Sequence, residues 1–181
     1  LPATNMADFV EIGKLLAQTG MFGTNNPAEG FVIAAMCHQS GLTYIEFMQQ
    51  YHVIKGKVSK KADAILADFN RLGGEHKIIK RDNEGAVIEF KKGQNTYTSK
   101  CLWSDCQNEP FVYEGKESEV LACLLDDKRR AGLKLKTKWA TPRSRMQMLF
   151  ARCVSDGVRA VDPCSVQGQY TPEEVDDFET T

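Results

Sequence analysis

Apolar positions recur at Phe9, Val10, Ile12, Leu15 and Leu16, one face of a helix over residues 8–19 that Gly20 ends. Asn26-Pro27 sets a cap before a proline at a first helical position. The helix AEGFVIAAMCHQS follows and Gly41 closes it. Thr43 and Glu46 have the spacing of a capping box for a short third helix. The period then changes. Tyr51-His52-Val53-Ile54 is a short run of β formers, Lys55-Gly56 makes a turn, and Lys57-Val58 returns, which predicts a small hairpin. Ser59 is expected to cap a helix from about Lys60 to Leu72, with Ala62, Ile65, Leu66 and Phe69 on one face and Gly73-Gly74 as its stop.

Three strands are predicted next. HKIIK runs into the turn Asp82-Asn83-Glu84-Gly85, AVIEFKK runs back, and TYTSKCLW follows Gly93-Gln94-Asn95. Val87, Ile88 and Phe90 are expected to share a buried face with Tyr97, Cys101 and Trp103. Helices are predicted from Glu117 to about Ala131, from about Arg143 to Val161 with Pro142 near the start, and from Thr171-Pro172-Glu173-Glu174. The fold class is α+β: N-terminal helices, a small β-hairpin, a helix, a three-stranded antiparallel sheet and C-terminal helices. Residues 1–181 read as one domain, with a helical part over 1–50, a hairpin, helix and sheet over 51–104, and a helical part over 117–181. There is no repeat, low-complexity tract or linker.

Composition adds bounds. Hydrophobic residues are 42% of 181, enough for a core. No apolar run approaches a membrane span. Residues 1–20 carry Asp8 and Glu11 in an amphipathic pattern, unlike a signal peptide. A chain that starts at Leu1 is expected to be part of a longer product. The cysteines at 37, 101, 106, 123, 153 and 164 form no CxxC pair, and no Cys or His pair has zinc-finger spacing. Scattered cysteines fit a reducing cytoplasm, as small buried hydrophobes.

Several chemistries lack their motifs. There is no GxxxxGK[ST] for a P-loop, no G-x-S-x-G and no HExxH. Asp126-Asp127 and Asp176-Asp177 are paired acids of the kind a metal nuclease uses, but adjacent residues on a helix diverge by about 100°.

Charge is segregated along the chain. Lys+Arg total 23 against 24 Asp+Glu, yet Lys128 to Arg159 holds ten basic residues and a single acid, Asp156, and Ala160 to Thr181 holds no Lys or Arg. Such asymmetry points to an anionic partner. Lys134, Lys136 and Lys138 alternate with Leu133, Leu135 and Thr137. In an extended segment their ammonium groups lie about 6.5–7 Å apart along one edge, near the spacing of phosphates on a strand. Trp139 follows, and a basic track beside an aromatic suits a single-strand groove. The alternative is a solvated edge with Trp139 in the core. Arg145, Arg152 and Arg159, seven apart, share one helix stripe. Lys55 and Lys57 at the hairpin, with Lys60 and Lys61, form a second cluster, which equally reads as edge protection.

These residues resemble phage single-strand annealing proteins of the RecT/Redβ superfamily over most of the chain. IGKLLAQTGMF and AEGFVIAAMCHQSGLTYIEFMQQYHVIKGKVSKKADAIL are similar to the RecT-type opening, and SKCLWSDCQNEPF to a Redβ segment. The most specific part is Trp139, Pro142, Met148, Arg152, Arg159 and Pro163, then Gly168 and Tyr170-Thr171-Pro172-Glu173-Glu174. Between Pro142 and Met148 the chain is two residues longer than the family spacing, which leaves open whether Arg143 or Arg145 takes the family's basic position.

The resemblance implies ATP-independent annealing of complementary DNA strands in phage-type recombination, with no catalytic residue, metal or cofactor. It implies a phage-encoded protein in the bacterial cytoplasm. It also implies a homo-oligomer, ring or helical filament, with single-stranded or annealed duplex DNA in a basic groove across subunits. A phage exonuclease and the host single-strand binding protein are the implied partners. An annealing protein must leave bases free to pair, so it holds phosphate and sugar. The expected contacts are Lys55, Lys57, Lys134, Lys136, Lys138, Arg143, Arg145, Arg152 and Arg159, with Trp139 stacking or buried. A single-strand-binding accessory module that does not anneal is the alternative function, and a metal nuclease on the Asp pairs a third.

Overall fold

The computed structural model describes residues 5–20, 23–54, 57–166 and 170–175. Contacts divide the chain into two compact units, Leu1–Lys61 and Ala62–Thr181.

In the first unit, α1 (Met6–Thr19) starts at a capping box between Asn5 and Asp8 and stops at Gly20, whose φ is 61°. α2 (Pro27–Ser40) has Asn26 as its cap and Pro27 at its first position. These two helices cross at glycines. A Cβ on Gly30 would stand 2.2 Å from the Gly13 carbonyl oxygen, and one on Gly13 would stand 2.5 Å from the Phe31 nitrogen. α3 (Tyr44–Gln50) begins with the predicted capping box: the Glu46 N–H donates to Thr43 Oγ1 at 3.2 Å, and the Thr43 N–H to Glu46 Oε2 at 2.7 Å. Leu16, Ile33, Ala34, Cys37, Phe47 and Tyr51 make this unit's core, with Phe47 stacked on Tyr51 at 4.7 Å.

β1 (Tyr51–Ile54) and β2 (Lys57–Lys60) pair antiparallel. Ser59 does not cap a helix. It belongs to β2, and its hydroxyl donates to the His52 carbonyl at 3.3 Å. Lys60 is buried there, its ammonium 5.4 Å from the Tyr51 ring. A small polar residue before a helical pattern serves a strand end as well as a cap, and pairing with β1 decides between them.

The second unit opens with α4 (Ala62–Arg71), followed by β3 (Glu75–Asp82), β4 (Gly85–Lys92) and β5 (Asn95–Leu102) in the order β3-β4-β5. Asp82 Oδ1 accepts the N–H groups of Glu84 and Gly85 at 2.8 and 3.0 Å, which closes the first turn. After β5 come α5 (Trp103–Cys106), α6 (Glu117–Leu124), α7 (Asp127–Arg130), α8 (Thr137–Ala140), α9 (Pro142–Val161) and α10 (Pro172–Val175).

One face of the sheet is covered by α9, with α4 alongside it. Ala86, Ile88, Phe90 and Ser99 are buried, against Leu149, Cys153 and Val154 of α9. Gly157 lets the helix come this close, since a Cβ there would lie 2.0 Å from a Phe90 ring carbon. Lys92 pairs with Asp162 at the far end of α9.

The layout agrees with the α+β expectation, with three local corrections besides Ser59. Tyr97 is 46% exposed and Trp103 starts α5. The register places Ser99 opposite Ile88, so Ser99 takes the buried position, while Val87 lies on the opposite face. The helix expected over 117–131 is two, because Asp126 is extended and caps α7, accepting from Lys128 N–H at 3.0 Å. No helix among the described residues is long and apolar enough to cross a membrane.

Candidate nucleic-acid interface

The basic segment is pinned at both ends. Leu135 bridges Tyr113, the Glu114 N–H donates to the Lys134 carbonyl at 2.8 Å, and the Lys136 N–H to the Val112 carbonyl at 2.9 Å. α8 follows at once and is broken from α9 by Thr141, which is extended at φ −102° and ψ 149° as a residue before proline prefers. Thr141 then caps α9, its hydroxyl accepting from Ser144 N–H at 3.2 Å.

The extended stretch is therefore shorter than expected. Lys134 and Lys136 sit on it, but Lys138 lies on α8, so the three ammonium groups do not form one straight file. Lys134 is 78% exposed and pairs with Glu114 at 3.0 Å. An exposed pair of this kind is worth at most about 1 kcal/mol and exchanges readily for another anion. Lys136 and Lys138 are half-buried.

Trp139 is in the core. It is fully buried, 5.9 Å from Trp103 in a near-parallel stack and 5.8 Å from Phe111, and its indole Nε1 has no hydrogen-bond partner among the described residues. Of the two readings of Trp139, stacking or buried, the fold takes the buried one, since no base reaches a side chain with no exposed surface. It anchors the segment that carries the cations.

The stripe on α9 exists, and each of its guanidinium groups lies on an aromatic ring. Arg145 is 4.0 Å from the Trp103 ring, and its Nε donates to the Trp139 carbonyl at 3.1 Å. Arg152 is 4.2 Å from Phe111 and 5.6 Å from Trp139. Arg159 is 5.1 Å from Tyr170. Such contacts hold the planar groups in fixed orientations.

Arg159 also has an internal counter-ion. Its Nη1 lies 3.0 Å from Glu174 Oε1 and 3.6 Å from Asp156 Oδ1. Glu174 accepts from the Ser155 hydroxyl at 2.9 Å and from the Thr171 N–H at 2.7 Å. Ser155 and Arg159 are one helical turn apart, so both face the point where α10 docks. Arg159, expected to contact the DNA backbone, has its charge matched inside the fold. Burial pushes the Glu174 carboxyl up, but the hydrogen bonds from Arg159, Thr171 and Ser155 outweigh it and hold the group below its usual range. Burial, then the charge of Glu174, pushes Asp156 up. Glu173 is also pushed up by burial.

Arg143 is exposed in the first turn of α9 and makes no ion pair or hydrogen bond among the described residues. Lys55 lies outside the described residues. Lys57 is described only as backbone of β2. Gly168 and Asp176-Asp177 also lie outside them.

Sequence reasoning missed two residues of this site. Trp103 reads from the sequence as a strand residue, yet it is the platform under Arg145. Glu174 reads from the sequence only as part of a short helix, although Thr171-x-x-Glu174 has capping-box spacing, which turns the carboxylate back toward the helix start. No group of three His, Cys, Asp or Glu among the described residues could hold a metal ion. A depression of about 460 Å³ at the sheet is lined by Glu75, Lys77, Glu89, Lys91, Tyr97 and Thr98. Its charges alternate in sign, unlike a track for a polyanion. No family model matches the chain, nor does a curated protein or a solved structure.

Proposed function

We propose that the protein binds single-stranded DNA and anneals complementary strands without ATP, in recombination of the phage RecT/Redβ type. The observation that carries this reading is the buried Trp139 anchoring the stretch that carries Lys134, Lys136, Lys138, Arg143 and Arg145, of which Lys134 and Arg143 are exposed. Held backbone makes the cations a fixed surface rather than a loose tail, and Lys and Arg bind phosphate without reading bases. Arg152, on its aromatic bed, lines the same helix further along. A homo-oligomer, ring or filament, would join such surfaces into one groove. An exonuclease and a host single-strand binding protein are the partners this reading assigns.

The test is annealing of two labelled complementary oligonucleotides added in turn, without ATP, across a salt series. Acceleration with a log-log salt slope of about −3.5 for binding is expected if these five cations each neutralise a phosphate, at about −0.7 apiece on single strands. A slope near zero removes the groove. Binding without acceleration assigns the chain to the non-annealing accessory class.

Two arginines separate contact from scaffold. Arg143→Ala is expected to reduce the slope by about 0.7 and leave the melting temperature unchanged. Arg159→Ala is expected to lower the melting temperature by several degrees, because it strands Glu174. Equal melting temperatures for the two variants would remove this distinction.

A further inference from the structure

Cys101 and Cys106 are unlike the chain's other cysteines. Their Sγ atoms lie 3.7 Å apart. Cys101 is held on β5 opposite Ala86, and Cys106 ends α5. The corner between them is fixed: the Trp103 N–H donates to the Glu84 carbonyl at 2.9 Å, and the Gln107 carbonyl accepts the Tyr113 hydroxyl at 2.8 Å. Two held backbones thus keep two thiols in contact. A disulfide needs about 2.05 Å between sulfurs, so closure requires an approach of about 1.7 Å.

The pair is also electrically unequal. The hydrogen bond from Cys101 holds the Cys106 thiol below its ordinary range, with Arg152 adding to this against burial and the charges of Asp105 and Glu109. Cys101 is pushed up by that same bond and by burial. One sulfur is therefore the readier thiolate, and its neighbour keeps a proton. Elsewhere, burial raises Cys37 to about 11, and Cys153 donates to the carbonyls of Ser99 and Ala86 at 3.3 and 3.5 Å. No thiol contact of this kind involves Cys123 or Cys164 among the described residues.

We propose that Cys101 and Cys106 form a peroxide-oxidised dithiol site that closes to an intramolecular disulfide. The Cys106 thiolate attacks one oxygen of hydrogen peroxide. An S–O bond forms, the O–O bond breaks, and the departing hydroxide takes the proton that Cys106 released, giving water. Cys106 is then a sulfenic acid. Cys101 Sγ attacks Cys106 Sγ, the S–S bond forms, the S–O bond breaks, and the second hydroxide leaves as water with the proton of Cys101. Two thiols lose two electrons in all, and the peroxide gains them. Cys106 is 7% exposed, which favours an oxidant as small as hydrogen peroxide. This site does not depend on the annealing reading.

The test uses the full reduced chain, treated with equimolar hydrogen peroxide, alkylated with iodoacetamide and cut with trypsin. The peptide from Cys101 to Lys116 holds both residues. It is expected to lose alkylation at both cysteines, to weigh two hydrogens less, and to regain two alkylation sites after dithiothreitol. In Cys101→Ser, dimedone is expected to trap a sulfenic acid at Cys106. In Cys106→Ser it traps none at Cys101. Full alkylation of that peptide after peroxide overturns the proposal, as does a disulfide joining either residue to Cys123 or Cys164. Should the variants not fold, the wild-type peptide decides alone.

Discussion

Gly157→Ala is expected to destabilise the Ala62–Thr181 unit by about 3 kcal/mol, at the upper end of overpacking costs. Two effects oppose each other. Alanine is the better helix former by about 1 kcal/mol, and Gly157 is deep inside α9. If propensity ruled, the variant would be more stable. Against this, the new methyl would stand 2.0, 2.4 and 2.8 Å from three atoms of the Phe90 ring. That ring is buried and met edge-on by Phe69 at 5.7 Å, so it has nowhere to swing. Either α9 lifts from the sheet or the ring leaves its rotamer. Urea denaturation measures the outcome. A midpoint at or above wild type would show that the helix and sheet tolerate a wider gap. The double variant Gly157→Ala with Phe90→Leu is expected to recover part of the loss, because the two sites share the same few ångströms of space.

Glu174→Ala is expected to cost about 3–5 kcal/mol at neutral pH, the usual penalty for removing one partner of a buried ion pair. Arg159 would keep the longer contact to Asp156 at 3.6 Å, and the Ser155 hydroxyl and the Thr171 N–H would lose their acceptor. The pH dependence has a definite sign. The folded Glu174 carboxyl titrates below its unfolded value, so its contribution is full above about pH 4.3 and is lost as pH falls through the folded value. Asp156 and Glu173 act in reverse. Their raised folded values mean that the native state gains stability as pH falls through them. The wild-type stability curve is therefore expected to rise as pH falls from 7 toward about 4.3, from Asp156 and Glu173, and to drop below it, from Glu174. Glu174→Gln keeps the shape but not the charge, and should flatten the acid limb. Thermal melts between pH 7 and pH 3 read both. An acid limb unchanged in Glu174→Gln would show that another carboxylate governs it.

The elements that could be read from the sequence are those whose signals lie within four residues of one another. Gly20, Asn26-Pro27, Gly41, the Thr43 and Glu46 box and the Asp82–Gly85 turn act as local geometry dictates. Two local signals, the Asp126 cap and the Thr171 and Glu174 box, escape this rule; the other misreadings involve distance. Ser59 answers to His52 across a hairpin, and Ser99 is buried because its register partner is Ile88. At the candidate interface, the cations were visible as composition, and so was the stripe at 145, 152 and 159. The partners that decide their roles were not. Arg159 meets Glu174 fifteen residues on, and Arg145 meets Trp103 forty-two residues back. Trp139 is a more general case: an aromatic beside lysines has the same composition whether it faces a base or a core.

The glycine crossing of α1 and α2 carries a different lesson, about heritable repair. At Gly157 the obstructing atoms belong to a side chain, so a second mutation that trims Phe90 can act as a suppressor. At Gly30 the obstructing atoms are the carbonyl and Cα of Gly13, and at Gly13 they are the backbone of Phe31 and Pro27. No codon change shortens a backbone. Revertants of a Gly30 lesion should therefore be true reversions or distant stabilising changes, and none should map to the opposing helix at the crossing itself.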